Sequence, residues 1–136
     1  MQIYYNQLDE QLDQKLKPIY IIAGDEVYQE DRCVDKIIKK SNQNSFIEHE
    51  IMYVEKTFDW SNFELQNTNL SLFGDKKIIE VRFLTKTVGL PAEKKIYEYL
   101  SSFTDSNIVI FRLPGLKAAD FKKKYLGMKD NNVGLI

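Results

Sequence analysis

The sequence predicts an α/β domain with helices on both faces of a mostly parallel sheet. Apolar runs without polar alternation, typical of strands buried on both faces, recur along the chain. Segments with apolar residues at helical spacing lie between these runs. Because strands that alternate with helices are usually connected by crossovers, this order indicates parallel pairing. The length of 136 residues allows one domain with a core.

The first two predicted elements are a helix and a strand. Apolar residues recur every four positions near the start, and Pro18 should end this opening amphipathic helix. Residues 19–23 form a continuous apolar run and predict a buried strand, after which Gly24-Asp25-Glu26 makes a turn. The helix carries its apolar side chains at Tyr4, Leu8, Leu12 and Leu16.

A second helix and a second strand follow the turn. We expect the helix to fray at residues 39–42, a Lys-Lys-Ser-Asn run, and residues 51–54 predict a short strand. The apolar positions of the helix are Val27, Cys33, Val34, Ile37 and Ile38.

The start of a third helix is open between several capping residues. Thr57 or Asp59 can cap it through a side-chain oxygen, whereas Ser61 and Glu64 have the spacing of a capping box. Its apolar positions are Trp60, Phe63 and Leu65.

The second half of the chain repeats the alternation of strand and helix. Residues 78–83 predict a third strand, and Pro91 fits the first position of a fourth helix. Residues 108–111 predict a fourth strand, which Pro114-Gly115 closes. One face of the fourth helix carries Ile96, Tyr99, Leu100 and Phe103.

The chain finishes with a basic helical stretch over residues 118–126 and an apolar tetrad, residues 133–136. Because no polar tail follows this tetrad, we expect residues 1–136 to be a single N-terminal domain excised from a longer protein.

Composition limits the classes of partner and the compartment. The formal net charge of -1 provides no overall attraction for nucleic acid or an anionic membrane. A single cysteine excludes an internal disulfide and fits a reducing compartment. No apolar run approaches the roughly 20 residues that span a bilayer, and the polar N-terminus does not resemble a signal peptide. We therefore expect a cytoplasmic protein without membrane contacts.

A nucleotide site is the first chemistry to test in such a fold. A phosphate-binding loop needs several glycines followed by Lys and Ser or Thr, but the turn at residues 24–28 has one glycine and the carboxylates of Asp25 and Glu26. Those carboxylates suit the positive end of a helix dipole and would repel phosphates. Arg112 and Leu113 follow the fourth strand where a metal-binding acidic pair would be expected. These features argue against a nucleotide-binding α/β enzyme domain, which we keep only as the alternative. We expect no cofactor.

The other reactive side chains suggest no catalytic or metal site. No Ser or Cys is placed in the sequence so as to suggest a nucleophile that His49 could activate as a general base. We therefore expect a histidine that faces solvent or lies at the edge of the core. Cys33 has helical spacing with Ile37 and is expected to be a buried core thiol. No Cys/His pair has the spacing of zinc ligands.

One local concentration of lysines lies near the C-terminus. The simpler interpretation is a helix face exposed to solvent. The functional interpretation is contact with phosphates or with a neighbouring acidic subunit. A DNA-binding domain that uses this face is therefore a second alternative. The residues are Lys117, Lys122, Lys123 and Lys124, with Lys129 further on.

The most informative stretch is the Leu-Phe segment, residues 70–73, made of Leu70, Ser71, Leu72 and Phe73. It follows a polar run and precedes the Gly74-Asp75 turn, so two large apolar side chains lie beside a turn. Such a pair can fill a pocket on another protein. The alternative is that Leu72 and Phe73 begin the next core strand, but residues 74–77 separate them from it. We favour a binding module over an enzyme.

Several signatures together resemble one family, the delta subunit of the bacterial DNA polymerase III clamp loader, in its N-terminal domain. Residues 19–26 (IYIIAGDE) resemble its first strand and turn, and residues 58–60 (FDW) and 70–82 (LSLFGDKKIIEVR) resemble its central block. Residues 112–116 (RLPGL) are similar to its Pro-Lys-Leu element, with Gly115 in place of the usual lysine. The similarity extends from about residue 18 to residue 129.

This resemblance implies an AAA+-type (P-loop NTPase-like) fold without a functional phosphate loop. It also implies binding to the ring-shaped sliding clamp (the beta subunit), one interface of which the delta subunit holds open. The positions that match the family's clamp-binding element are Ser71, Leu72 and Phe73, with Leu70 in place of a commoner Met and Thr68 where such motifs often begin with Gln. The implied further partners are the gamma/tau and delta prime subunits and, through the assembly, primer–template DNA.

Overall fold

The apolar runs form the strands of one sheet, in which every neighbouring pair is parallel. The strand order is β2-β3-β4-β1-β5. The computed structural model describes residues 3–24, 26–55, 58–68, 76–84, 90–101, 107–114 and 133–135. The strands are β1 (Ile19–Gly24), β2 (Glu48–Val54), β3 (Lys77–Phe83), β4 (Asn107–Pro114) and β5 (Val133–Leu135).

Helices cover both faces of this sheet. A 3-10 turn (Tyr5–Gln7) leads into α1 (Leu8–Gln14), followed by α2 (Val27–Gln43), α3 (Trp60–Thr68) and α4 (Leu90–Ser101). Helices α1 and α2 pack on one face, and α3 and α4 pack on the other. The predicted three-layer α/β arrangement is therefore confirmed for the described residues.

The centre of the sheet is buried on both faces, which explains the unbroken apolar runs. In β4, Val109 and Phe111 face the core beneath α3 and α4, while Ile108 and Ile110 face the core beneath α1 and α2. Phe111 lies next to Ile21 of β1, so the central pair of strands is packed from both sides.

The opening helix ends earlier than the sequence pattern predicts. Helix α1 stops at Gln14, so Leu16 lies outside it, and Tyr4 precedes it with 55% of its surface exposed. A buried tyrosine causes the early end: the backbone N–H of Lys17 donates to the Tyr20 hydroxyl (3.0 Å), which donates to Gln11 (3.2 Å). These contacts hold the chain extended before β1. Burial raises the pKa of Tyr20 to about 12.

The expected fraying of α2 at residues 39–42 is wrong, because the helix continues to Gln43 and ends in a defined motif. The backbone N–H of Phe46 donates to the Ser41 carbonyl (3.0 Å), and that of Ser45 donates to the Asn42 carbonyl (3.3 Å). These two bonds form a Schellman motif, with Ser45 in the left-handed position (φ 74°) that usually belongs to glycine. At the other end of α2, Val27 is exposed and lies outside the core.

The structure also identifies the cap of α3. Asp59 accepts hydrogen bonds from the backbone N–H (3.0 Å) and the hydroxyl (2.6 Å) of Ser61, and these bonds hold its pKa below the usual range. Asp59 is thus the N-cap and Ser61 lies within the helix, whereas Thr57 is outside the described residues. Leu65, predicted on the apolar face, is exposed.

The predicted fourth helix is confirmed with a small shift, since α4 begins at Leu90, one residue before Pro91. Ile96, Tyr99 and Leu100 are buried as predicted. Phe103 and the basic stretch at 118–126 lie outside the described residues.

We predict that Ser45→Gly stabilises the domain by about 0.5–1 kcal/mol, because glycine occupies the left-handed region without the steric cost of a Cβ. The melting temperature should rise by about 2–4 °C. Ser45→Ala is the matched control, since it keeps the Cβ and should bring no gain. Thermal and urea unfolding of the three proteins measure the effect, and equal stability of the glycine and alanine variants would contradict it.

Candidate functional site

The carboxyl ends of parallel strands are where α/β domains place their ligands. At this edge β1 ends at Gly24 and α2 begins at Val27. Glu26 stands at the N-terminus of α2 and is exposed, while Asp25 is outside the described residues. A carboxylate at the positive end of a helix stabilises that helix but repels phosphate. The described part of this turn therefore does not favour a nucleotide.

A network of charged side chains near this edge connects three strands to α2. We call it the Glu80 network, after its most buried member, whose side chain is 1% exposed. Arg82 donates to Glu80 Oε1 from Nη2 (2.8 Å) and Nε (3.2 Å), and Arg112 Nη1 lies 3.6 Å from the same oxygen. Arg112 also donates to Asp31 of α2, and His49 Nε2 of β2 lies 3.4 Å from Glu80 Oε2.

Sheet register explains why the network needs a buried carboxylate. Arg82 and Arg112 are paired positions on the adjacent strands β3 and β4, so two guanidinium groups project from neighbouring strands on the same face. Glu80 lies two residues before Arg82 and contacts both groups. The carboxylate thus offsets a like-charge repulsion that the parallel pairing would otherwise impose.

The ionisation of Glu80 follows from these contacts. Burial alone would raise the pKa of Glu80, but hydrogen bonds from His49 and Arg82, together with their charges, outweigh it and hold the pKa below its usual range. The pKa of Arg82 rises above its usual value, because the bonds and charge of Glu80 outweigh the effect of burial. A carboxylate that stays ionised between arginines is unsuited to general acid–base catalysis near neutral pH.

The histidine and the cysteine of the chain lie in surroundings that suggest a structural role and not a catalytic one. The side chain of His49, in the edge strand β2, is 27% exposed, in agreement with the prediction of a histidine that faces solvent or lies at the edge of the core. Cys33 is 2% exposed, and burial raises the pKa of its thiol to about 11, so it is an inert core thiol as predicted. Among the described residues, no cluster of three His, Cys, Asp or Glu side chains could hold a metal ion.

The sequence-predicted binding residues lie outside the described residues. These are Leu70, Ser71, Leu72 and Phe73, and the lysines Lys117, Lys122, Lys123 and Lys124. The structure does describe both attachment points of the Leu-Phe segment, at the end of α3 and the start of β3.

The attachment to β3 is firm. Lys77 is 2% exposed, its backbone N–H donates to the Asn107 side chain (3.3 Å), and its ammonium group lies 4.0 Å from Glu50. The neighbouring Lys76 is exposed, with its ammonium group 5.4 Å from the ring centre of Phe46. The Leu-Phe segment therefore joins the sheet at the amino ends of the strands, opposite the edge where nucleotides bind in α/β folds.

A groove of about 470 Å³ lies at this same edge, and we call it the amino-edge groove. Its lining residues come from the three connections that lead into β1, β2 and β3 and from the start of β4, so no periodicity in the sequence predicts it. Its lining residues are Lys15, Leu16, Pro18, Asn44, Phe46, Lys76 and Ile108.

Comparison with known proteins assigns the chain to a family. A family model described as "DNA polymerase III, delta subunit" matches residues 20–133. The chain belongs to this family. Two relatives, both DNA polymerase III subunit delta, come from strains of Buchnera aphidicola: one is 27% identical over 124 residues, the other 28% identical over 94 residues. These alignments cover 91% and 69% of this chain but 38% and 28% of the relatives.

A solved structure confirms the fold of this delta-family chain. The Bacillus subtilis DNA clamp loader delta protein superimposes with a TM-score of 0.70 at 15% identity, over 97% of this chain and 42% of that protein. The predicted AAA+-type α/β class is therefore confirmed, in a chain whose sequence has no Gly-Lys-Ser/Thr phosphate loop. The chain spans about two-fifths of the length of the Bacillus protein.

The family is part of a larger assembly, and the described helices are not of a membrane-spanning type. The delta subunit is a component of the DNA polymerase III holoenzyme. No helix within the described residues combines the length and apolarity that crossing a membrane requires.

We predict that Glu80→Gln destabilises the domain by about 3 kcal/mol near neutral pH, because two arginines lose their buried counter-charge. The folded-state pKa of Glu80 is lowered, so its stabilising contribution is complete above the usual value of 4.5 and disappears as pH falls through the folded-state pKa. The difference between the two proteins should therefore shrink with acidification.

Urea unfolding at neutral and acidic pH measures this difference. Glu98→Gln is the control, since Glu98 pairs with Lys95 on the surface (3.6 Å) and should cost about 0–1 kcal/mol. A Glu80 variant no less stable than this control would show that the network adds nothing to folding.

Proposed function

We propose that this chain is the sliding-clamp-binding part of a clamp-loader delta subunit, and that it helps to open the ring for loading onto DNA. The observation that carries the proposal is the Leu-Phe segment of a delta-family chain, located between α3 and β3. The likeness of the fold to a solved structure titled as a clamp loader delta protein supports it.

Two apolar side chains supply most of the expected affinity. Burial of a Leu and a Phe supplies ~1.5–3 kcal/mol each, which is enough for a hot spot in an interface. Exposed ion pairs from Asp75 or Lys76 would add ~0–1 kcal/mol each. We therefore assign anchoring to Leu72 and Phe73, with Leu70 and Ser71 beside them.

The packing of the two elements that flank the segment, α3 and β3, supports the proposal. In α3, Phe63 is buried, with its ring centre 5.4 Å from that of Tyr99 and 6.1 Å from that of Phe111. At the other end, β3 is hydrogen-bonded between β2 and β4. Fixed ends restrict where the segment can go before it meets a partner, which lowers the entropy cost of binding.

Ring opening follows from differential binding and requires no ATP chemistry in this domain. A partner shifts the clamp towards an open ring only if it binds that form more tightly than the closed one. In this proposal, nucleotide-driven motion of the gamma/tau and delta prime subunits controls access to the Leu-Phe segment. We further propose that the domain acts without a catalytic site of its own and works in the cytoplasm. Lys117 and Lys122–Lys124 are candidates for contacts with primer–template DNA or a neighbouring subunit.

We predict that Leu72→Ala combined with Phe73→Ala abolishes binding to the sliding clamp, because both apolar anchors are removed, while the domain stays folded. Calorimetric titration with clamp from the same source measures the affinity, and circular dichroism checks the fold. Leu65→Ala is the matched control, since Leu65 is a 56% exposed leucine of α3 outside the segment. Unchanged affinity of the double variant would remove the Leu-Phe segment from the mechanism.

We also predict tighter binding to a clamp made monomeric by a substitution at its own subunit interface than to the closed ring. The monomer does not have to open, so no binding energy is spent on separating an interface. Parallel titrations of both clamp forms measure the ratio of affinities. Equal affinities would show a domain that tethers the clamp without opening it.

A further inference from the structure

The amino-edge groove is lined by both apolar and positively charged side chains. Leu16, Pro18, Phe46 and Ile108 supply apolar walls, and Lys15 and Lys76 are exposed at the groove. Its volume of about 470 Å³ falls within the range of about 300–1,000 Å³ that is typical of binding clefts.

The charge of the groove differs from that of the whole chain. None of its described lining residues carries a carboxylate, and neither Lys15 nor Lys76 forms an ion pair with a described residue. The formal net charge of the chain is nevertheless -1. This local positive charge around apolar walls complements an acidic chain segment that carries an apolar side chain.

Chain connectivity brings this groove beside the proposed interface. Phe73 precedes Lys76 by three positions, a distance of at most about 11 Å when fully extended. Any partner that encloses Phe73 must therefore approach Lys76, which lines the groove. Lys15 and Lys76 contribute to the same groove, although they are far apart in sequence.

We propose that the amino-edge groove receives an acidic segment of the same sliding clamp that takes up Leu72 and Phe73. An apolar side chain of that segment packs between Phe46 and Pro18, and its carboxylates approach Lys15 and Lys76. This inference rests on the proposed function and adds a second, electrostatic contact, which favours association and orients the clamp on the domain.

Lys15→Glu is the decisive variant, because Lys15 is remote in sequence from the Leu-Phe segment and exposed to solvent. We expect it to weaken binding to purified clamp about tenfold at low ionic strength, mainly through a slower association rate. The effect should shrink as salt is added, since exposed charges are screened. Lys76→Glu should behave in the same way, and Lys15→Arg should retain the affinity of the unchanged chain.

Lys94→Glu is the matched control, with the same change of charge. Lys94 is exposed in the first half of α4, which leaves the carboxyl end of β3 and so starts at the opposite edge of the sheet. Its affinity for the clamp should stay within about twofold of the unchanged chain. Surface plasmon resonance at several salt concentrations provides rates and affinities for all four variants.

The outcomes separate this inference from the proposed function. If Lys15→Glu matches Lys94→Glu while the Leu72/Phe73 double variant loses binding, the groove is not a clamp contact and the proposed function stands. A loss with Lys15→Glu that is independent of salt would also overturn the charge pairing. If the double variant keeps full affinity, the proposed function fails, and this inference fails with it.

Discussion

The buried carboxylate of Glu80 is the interaction on which this edge of the domain depends. Parallel pairing sets Arg82 beside Arg112, and without a counter-charge two neighbouring cations on one face would destabilise the pairing of β3 with β4. Through Arg112 and Asp31 the same group of charges also fastens α2 to the sheet. An edge that binds nucleotides in other α/β folds is here occupied by ion pairs of the chain itself, beside a turn whose sequence lacks a phosphate loop.

The inner strands β1 and β4 were predictable because burial on both faces requires apolar residues at successive positions, as at residues 19–22 and 108–111. Helix ends were less predictable, since tertiary contacts or unusual residues decide them. The end of α1 depends on the Tyr20 hydroxyl, a contact across the core. The end of α2 depends on a left-handed Ser45, where glycine would have been the recognisable signal.

The surroundings of single residues were easier to predict than groups of residues that meet only in the folded structure. The buried thiol of Cys33 follows from its helical spacing with Ile37, and the absence of a nearby nucleophile indicated that His49 faces solvent or lies at the edge of the core. The Glu80 network does not, because Asp31 and Arg112 are 81 positions apart and meet only after the register is set. The amino-edge groove was not predictable for the same reason, since its lining residues come from separate connections and from β4. The role of Leu72 and Phe73 rests on the resemblance to the family and stays a prediction.

The position of β1 between two strands that come later in the sequence has a consequence for biosynthesis. Its neighbours are β4 and β5. Ile19 pairs with Val109, which is synthesised about 90 positions later, and with Val133, which is later still. At bacterial elongation rates of about 5–20 residues per second, roughly 5–20 s pass between the synthesis of these strands. During that interval an apolar strand lacks both of its neighbours in the sheet, so its unpaired edges favour aggregation of the nascent chain.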